Sequence, residues 1–297
     1  MNTKVISEAA REVIGHYKNF QVGTAICSVP YFNNRVTARR AGLRAEIGKG
    51  SPKDIFDEIN HRALEEKVDV KLLDSETLKK FLVHSNLGID CSGFAYYILD
   101  EESRSRGFGA LDKHLAFPLS KGIFGKIKSK MRPIENSGVE NFAHEENSRK
   151  IIFKEIEPGD IITMLGGPED GERNHILVIT QVEYQNFVPT TIHYVHAIAW
   201  PTDGEYGHGI HDGKIEIIDP NKSILEQRWI ENEKIGDENF RRYVYPNVRQ
   251  IISIYYSIIR KMDPVQESLV DLKQLILKMN IGWQQTLKNC KNSSEPP

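Results

Sequence analysis

Three side chains in this sequence have the types and settings that nucleophilic chemistry requires. Cys91 stands in "GIDCSGFAYYILD", residues 88–100, where a loop passes into a helix. A thiolate is the reactive form of cysteine, and the exposed N–H groups and positive dipole end of a helix N-terminus favour it. Phe94, Tyr97 and Ile98 recur at helical spacing and would anchor that helix to a core, while Gly93 allows close backbone approach. This predicts an outward-pointing Cys91 thiol that reacts well below pH ~8.5, unlike Cys27 and Cys290. A cysteine nucleophile also needs a base and a group to orient it. His175 opens the strand "NHILVIT" on the face of Leu177 and Ile179, in a half-exposed position. His196 lies within "TIHYVHAIAW", sharing a face with Ile192, Tyr194 and Ile198, and needs one definite hydrogen bond there. His193 must point to the opposite face. Taken singly, each residue also has a plain structural reading: a small buried thiol, or a strand histidine satisfied by backbone.

The elements that must position these groups are legible as patterns. Residues 4–19 read as an amphipathic helix with Val5, Ala9, Val13 and Ile14 on one side. Ser51, Pro52 and Asp54 in "GSPKDIFDEI" match an N-cap, a first-turn proline and an acidic third position, and another helix begins near "DSETLKKFL". From residue 158 onward "PGDIITML", "HILVIT", "TIHYVHAIAW" and "KIEIID" are short β-branched runs between turn residues, which is an antiparallel sheet. Residues 103–150 are polar and weakly periodic and read as an insertion. Val265, Leu269, Leu272, Ile276, Met279 and Trp283 trace a C-terminal amphipathic helix. The expected organisation is a helical and loop extension over 1–84 integrated with the core, a catalytic unit over 85–260, and a helix with its tail over 261–297.

In order and strand context, "DCSGF" at 90–94, "PGD" at 158–160, "NHILVIT" from 174 and "VHA" at 195–197 resemble the NlpC family of cell-wall cysteine peptidases. The resemblance covers roughly residues 85–220. It implies an α+β, papain-like NlpC-type fold, with N-terminal helices packed on an antiparallel sheet. It implies Cys91 as nucleophile, His175 as the base, and His196 as the residue holding His175 in its tautomer. The reaction would cleave an amide in peptidoglycan stem peptides through a thioester, with backbone N–H groups at the helix start meeting the oxyanion. Substrate-binding roles fall to Asp90, Ser92 and Tyr31. Asp90 equally suits a helix-start cap, and Tyr31, from "VPYFNN", lies much farther from the cysteine than the matching tyrosine does in the family. The gap from Cys91 to His175 is longer than that core needs, the excess falling in 103–150, where it would cover the cleft.

Composition bounds the alternatives. The chain of 297 residues is 39% hydrophobic with a formal net charge of −2, which suits a soluble globular protein and no nucleic-acid partner. Its three cysteines make no disulfide framework. With neither a signal peptide nor a membrane span in view, the expectation is a cytoplasmic protein with no membrane partner, export by another route remaining open. Arg35, Arg39, Arg40, Arg44, Lys49 and Lys53 form a basic segment, with "GKIKSKMR" a second cluster. They read as solvated loops or as sites for carboxylates. "GLRAEIGKGS" fails as a phosphate loop, because glycine follows Lys49. His193, His196, His208 and His211, with Asp203 and Asp212 nearby, lack a closed ligand pattern, so no metal or other cofactor is expected, and His208 and His211 read as a turn at the cleft rim. An acyltransferase with the same triad, or a binding module that kept the fold without the reaction, remain alternatives.

Overall fold

A computed structural model describes residues 2–33, 43–166, 174–199, 203–231 and 248–253. The expected C-terminal helix, Arg35, Arg39 and Arg40 lie outside the described residues. The architecture is mixed helix and antiparallel sheet, of the α+β class.

The chain opens with strand β1 (Asn2–Val5), not with the expected helix. Helix α1 (Glu8–Lys18) starts only after Ser7, whose side chain accepts from the Ala10 N–H. Val5 is therefore an exposed strand residue, and the helix buries Ala10, Ile14 and Tyr17 instead. The cap explains the shift, because serine at this position offers the first free N–H a partner and places the helix start after itself. A small hairpin follows, β2 (Phe20–Val22) with β3 (Ala25–Cys27).

Helix α2 (Pro52–Glu66) begins as the sequence predicts, with a reciprocal capping box between Ser51 and Asp54. Helix α3 (Ser75–His84) is capped by Asp74, and α4 (Cys91–Ser105) by Asp90. The stretch read as an insertion is built of short helices: α5 (Gly122–Met131), α6 (Pro133–Asn136) and α7 (Val139–Ala143). Its Leu111, Leu115, Phe117, Ile134, Val139 and Phe142 are buried in the main hydrophobic cluster, so much of it is core rather than cover.

Among the described residues the sheet has eight strands, all paired antiparallel. Its members beyond β1 are β4 (Arg149–Lys150), β5 (Ile161–Met164), β6 (His175–Gln185) and β7 (Val188–Ile198). After the short helix α8 (Gly204–Gly207) come β8 (Gly209–Glu216), β9 (Arg228–Glu231) and β10 (Val248–Ser253). The order is β4-β10-β5-β6-β7-β8-β9, and β1 pairs with the later part of β6.

Alternation along β6 and β7 divides the apolar side chains between two cores, as period-two geometry requires. Ile176, Val178, Val195 and Ala197 join the larger cluster with α1 and α4. Leu177, Ile179, Ile192 and Tyr194 join a smaller cluster on the other face, with Trp229 and Ile215. Tyr17 meets Phe94 edge-on at 5.3 Å between ring centroids, fixing α1 against α4. Glu102 adds a polar tie: its carboxylate accepts from the Ser7 N–H at 2.7 Å and from Arg106 Nε at 2.9 Å. Arg106 also donates to the Pro158 carbonyl, which links α4 to the Pro-Gly-Asp turn. That turn enters β5 as predicted, with Asp160 accepting from the Glu157 N–H at 2.8 Å.

Candidate active site

Cys91 is the first residue of α4, and Asp90 supplies the cap by accepting from the Gly93 N–H at 2.6 Å. The chain entering this helix is held in a slot made from two distant segments. Ile89 forms backbone bridges with Tyr31 on one side and Lys49 on the other. Phe32 N–H donates to Ile89 O at 3.1 Å, and Asp90 N–H to Gly48 O at 2.8 Å. Gly93 is where α4 comes closest to this slot, since a Cβ there would lie 2.9 Å from Gly48 O. Tyr31 therefore comes to the start of α4 through folding rather than through sequence proximity. Its backbone N–H donates to His208 Nδ1 at 3.0 Å, and Asn33 Nδ2 lies 3.3 Å from its hydroxyl.

The helix start carries a buried polar cluster that the sequence did not reveal. Lys49 Nζ donates to Asp90 Oδ1 at 2.9 Å, Ser92 Oγ at 2.6 Å and Ser137 O at 3.3 Å. Lys49 is thus not part of a solvated basic loop but a buried cation matched to one buried carboxylate. Of its neighbours in the basic segment, Arg44 pairs with Glu135 and Lys53 with Asp57. Asp90 and Ser92 are engaged by this network, and Asp90 also caps the helix. Ser137 belongs to the inserted stretch, which therefore braces the site from below. Its Glu140 meets Asn174, the residue before His175.

On the sheet side, His175 Nε2 and His196 Nδ1 lie 2.7 Å apart, a short hydrogen bond between two imidazoles. Each ring occupies the strand position expected for it. His175 is half-buried at the start of β6, and His196, 1% exposed, is deep in β7. Behind them stands Glu231 at the end of β9, also 1% exposed, with Oε1 3.4 Å from His196 Nε2. The same oxygen accepts from Tyr194 Oη at 2.7 Å. Glu231 was missed because "RWIE" carries only the local look of an edge strand, and its partner lies two strands away.

Helix and sheet meet at the sulfur. α4 packs against β6 and β7, and the backbone N–H groups of Ile176 and Ser92 face the Cys91 sulfur. Ile176 directly follows His175 in the strand, so the thiol sits at the His175 end of β6. His193 lies apart from this group, its Nε2 3.0 Å from Glu183 Oε1.

One expectation is overturned. The Cys91 thiol does not point outward: the residue is 5% exposed. Burial, reinforced by the Asp90 carboxylate, pushes its pKa up to about 12, against the opposing pull of Lys49 and the two N–H groups. Burial likewise holds His175 well below the usual imidazole range, with His196 acting in the same direction. The two shifts favour the neutral thiol and the neutral imidazole. Cys27 is also raised, to about 11, by burial, so the two thiols are shifted in the same direction.

His208 and His211 are also not a turn. His211 lies within β8, directly opposite His196, with Nε2 3.5 Å from Asp203 Oδ2. His208 precedes the strand; besides holding Tyr31, its carbonyl accepts from Lys79 Nζ at 2.6 Å. Burial lowers that ammonium's pKa to about 8. Among the described residues no group of three or more His, Cys, Asp or Glu side chains could hold a metal ion, and no helix is long and apolar enough to cross a membrane. No family model, curated protein or solved structure matches this chain.

Proposed function

We propose that the chain is a cysteine hydrolase of papain-like, NlpC-type architecture, cleaving amide bonds with Cys91, His175 and His196. The observation that carries this reading is the 2.7 Å bond between His175 Nε2 and His196 Nδ1, at the strand end where the Ile176 N–H faces the Cys91 sulfur. A base oriented by a second polar ring, next to a cysteine at a helix start, is the arrangement nucleophilic catalysis needs. A copy that had lost the reaction would have no reason to keep all three groups.

The neutral state of both partners sets the order of events. His175 takes the thiol proton as sulfur attacks the carbonyl carbon, rather than beforehand. Backbone N–H groups at the start of α4 meet the oxyanion. As the tetrahedral species collapses, the C–N bond breaks and His175 returns the proton to the departing amine. Water, deprotonated by the same imidazole, then attacks the thioester and releases the carboxylate and the thiol. With the sulfur so shielded, the surrounding segments must part to admit the substrate.

The substrate proposed is a peptidoglycan stem peptide or wall fragment, on the strength of the motif resemblance. Engagement of Asp90 by Lys49 argues that a substrate amine is not held there unless it displaces the lysine. Acyl transfer is the second reading, and the burial of Cys91 is what favours it, because a site that excludes water protects a thioester for another acceptor.

Incubating wild type and Cys91→Ala with stem peptides, with and without the attached sugar, and reading products by mass spectrometry tests the proposal. Cleavage by wild type alone is expected, and identical products from both would remove Cys91 from the mechanism. Adding primary amines separates the two readings, since amide products in place of free acid would identify a transferase.

A further inference from the structure

The sheet carries one more group aimed at the histidine pair, and a glycine that lets it be aimed. Tyr194, Gly213 and Glu231 are cross-strand partners in register, Tyr194 with Gly213 across β7 and β8, and Gly213 with Glu231 across β8 and β9. A Cβ at Gly213 would lie 2.2 Å from Tyr194 Cζ and 2.3 Å from its Oη. The tyrosine ring thus runs through the space that any other residue's side chain would fill on β8, and its hydroxyl reaches Glu231 Oε1 at 2.7 Å. Glu231 Oε1 is in turn 3.4 Å from His196 Nε2. The tyrosine and histidine rings pack edge to face, 5.6 Å between centroids.

We infer that Glu231, braced by Tyr194 across the Gly213 gap, is a positioning residue that sets the tautomers of both histidines. This rests on the hydrolase reading above for its role in turnover. A carboxylate oxygen 3.4 Å from Nε2 offers that nitrogen a lone pair, so it favours the His196 tautomer with its proton on Nε2. His196 Nδ1 then has a lone pair, and the 2.7 Å contact must be donated by His175 Nε2–H. That leaves the lone pair of His175 on Nδ1, the nitrogen available to take the Cys91 proton. When it does so, His175 becomes an imidazolium hydrogen-bonded to His196, whose Nε2 stands 3.4 Å from the buried Glu231 carboxylate, close enough for that group to stabilise the charge. No proton needs to pass to Glu231 itself. Reversing the chain, with His196 protonated on Nδ1, would put a lone pair against the carboxylate and tie up the base.

Nitrogen-15 NMR of the histidine rings, with His196→Gln to assign its signals, reads the tautomers directly and without substrate. The expected result is Nε2–H on both His175 and His196 in the wild type. In Glu231→Gln, of equal size and uncharged, the amide can donate, and His196 shifts toward Nδ1–H. kcat for amide cleavage should fall about 10- to 100-fold with little change in KM, less than the ~10⁴-fold effect of misorienting the base through its direct partner. Tyr194→Phe, which keeps the packing, should give a smaller fall of the same kind, and Glu231→Asp should recover part of the loss. Nδ1–H on His196 in the wild type, or a Glu231→Gln protein with unchanged tautomers and kcat, would overturn the inference. Turnover that survives Cys91→Ala would instead sink the hydrolase reading and leave the tautomer result standing on its own.

Discussion

One polar group lies at the start of α4 and another across β6 and β7, and they are built differently. On the helix side, Lys49, Asp90 and Ser92 bring a cation, a carboxylate and a hydroxyl within hydrogen-bond distance. Formal charges cancel and each donor has a fixed acceptor, so a proton has no second place to go. On the sheet side, His175 and His196 share a 2.7 Å contact, and with the tautomers inferred above His175 keeps a ring nitrogen that can take up a proton. One is a clamp and the other a relay.

Substitutions separate the two. Cys91→Ala should abolish turnover, by at least ~10⁴-fold, with thermal stability close to wild type; retained turnover would detach the relay from any reaction. Lys49→Met should do the reverse. Leaving Asp90 buried without its cation costs about 3–5 kcal/mol, read as a lower denaturant midpoint, and a variant of unchanged stability would show that the clamp is not structural.

The pH responses follow from the shifted groups. His175 binds protons less readily folded than unfolded, so the unfolded state holds more protons below about pH 6.5. Stability should fall as pH drops through that range, and the acidic limb of kcat/KM should lie below 6.5. A limb at or above 6.5 would place His175 outside the relay. Cys91 is shifted the other way, with a folded value of about 12 against an ordinary 9.0. Its contribution to stability is present below pH 9 and is lost as pH rises above 9, where the unfolded thiol ionises first. Alkylation of Cys91 at pH 7–8 should accordingly be slow, and labelling as fast as that of a free thiol would contradict the buried setting. The smallest effect belongs to Ser92→Ala, which removes one hydrogen bond from a clamp that retains its ion pair, for about 1 kcal/mol.

The sequence exposed what is local. Ser51 with Pro52 and Asp54, Asp74, and Asp90 announce helix starts because a cap is a short-range hydrogen bond. Alternation in "NHILVIT" and "VHA" places the rings of His175 and His196 on the same face because strand period is a property of the backbone. What it hid is tertiary. Ser7 was available as a cap, yet the apolar spacing through Val5 suggested a helix where β6 offered a strand partner. Glycines 209 and 213 made a turn of the segment around His211, whereas Gly213 is there to admit a ring from the next strand. The chain just before Cys91 is bridged at Ile89 by Tyr31 and Lys49, which come from far away in the chain. No local pattern announces them.

The slot around Ile89 has its own consequence. Stretches containing residues 31, 49 and 89 must converge before the helix start is set, and closing such loops has an entropy cost that the bridges have to repay. Should the Gly48–Lys49 strip lift away, the cap of α4 would lose its companion ammonium while the pairing of β6 with β7 stayed intact. The Lys49–Asp90 pair would then be broken without unfolding the sheet, through a local opening far smaller than global melting.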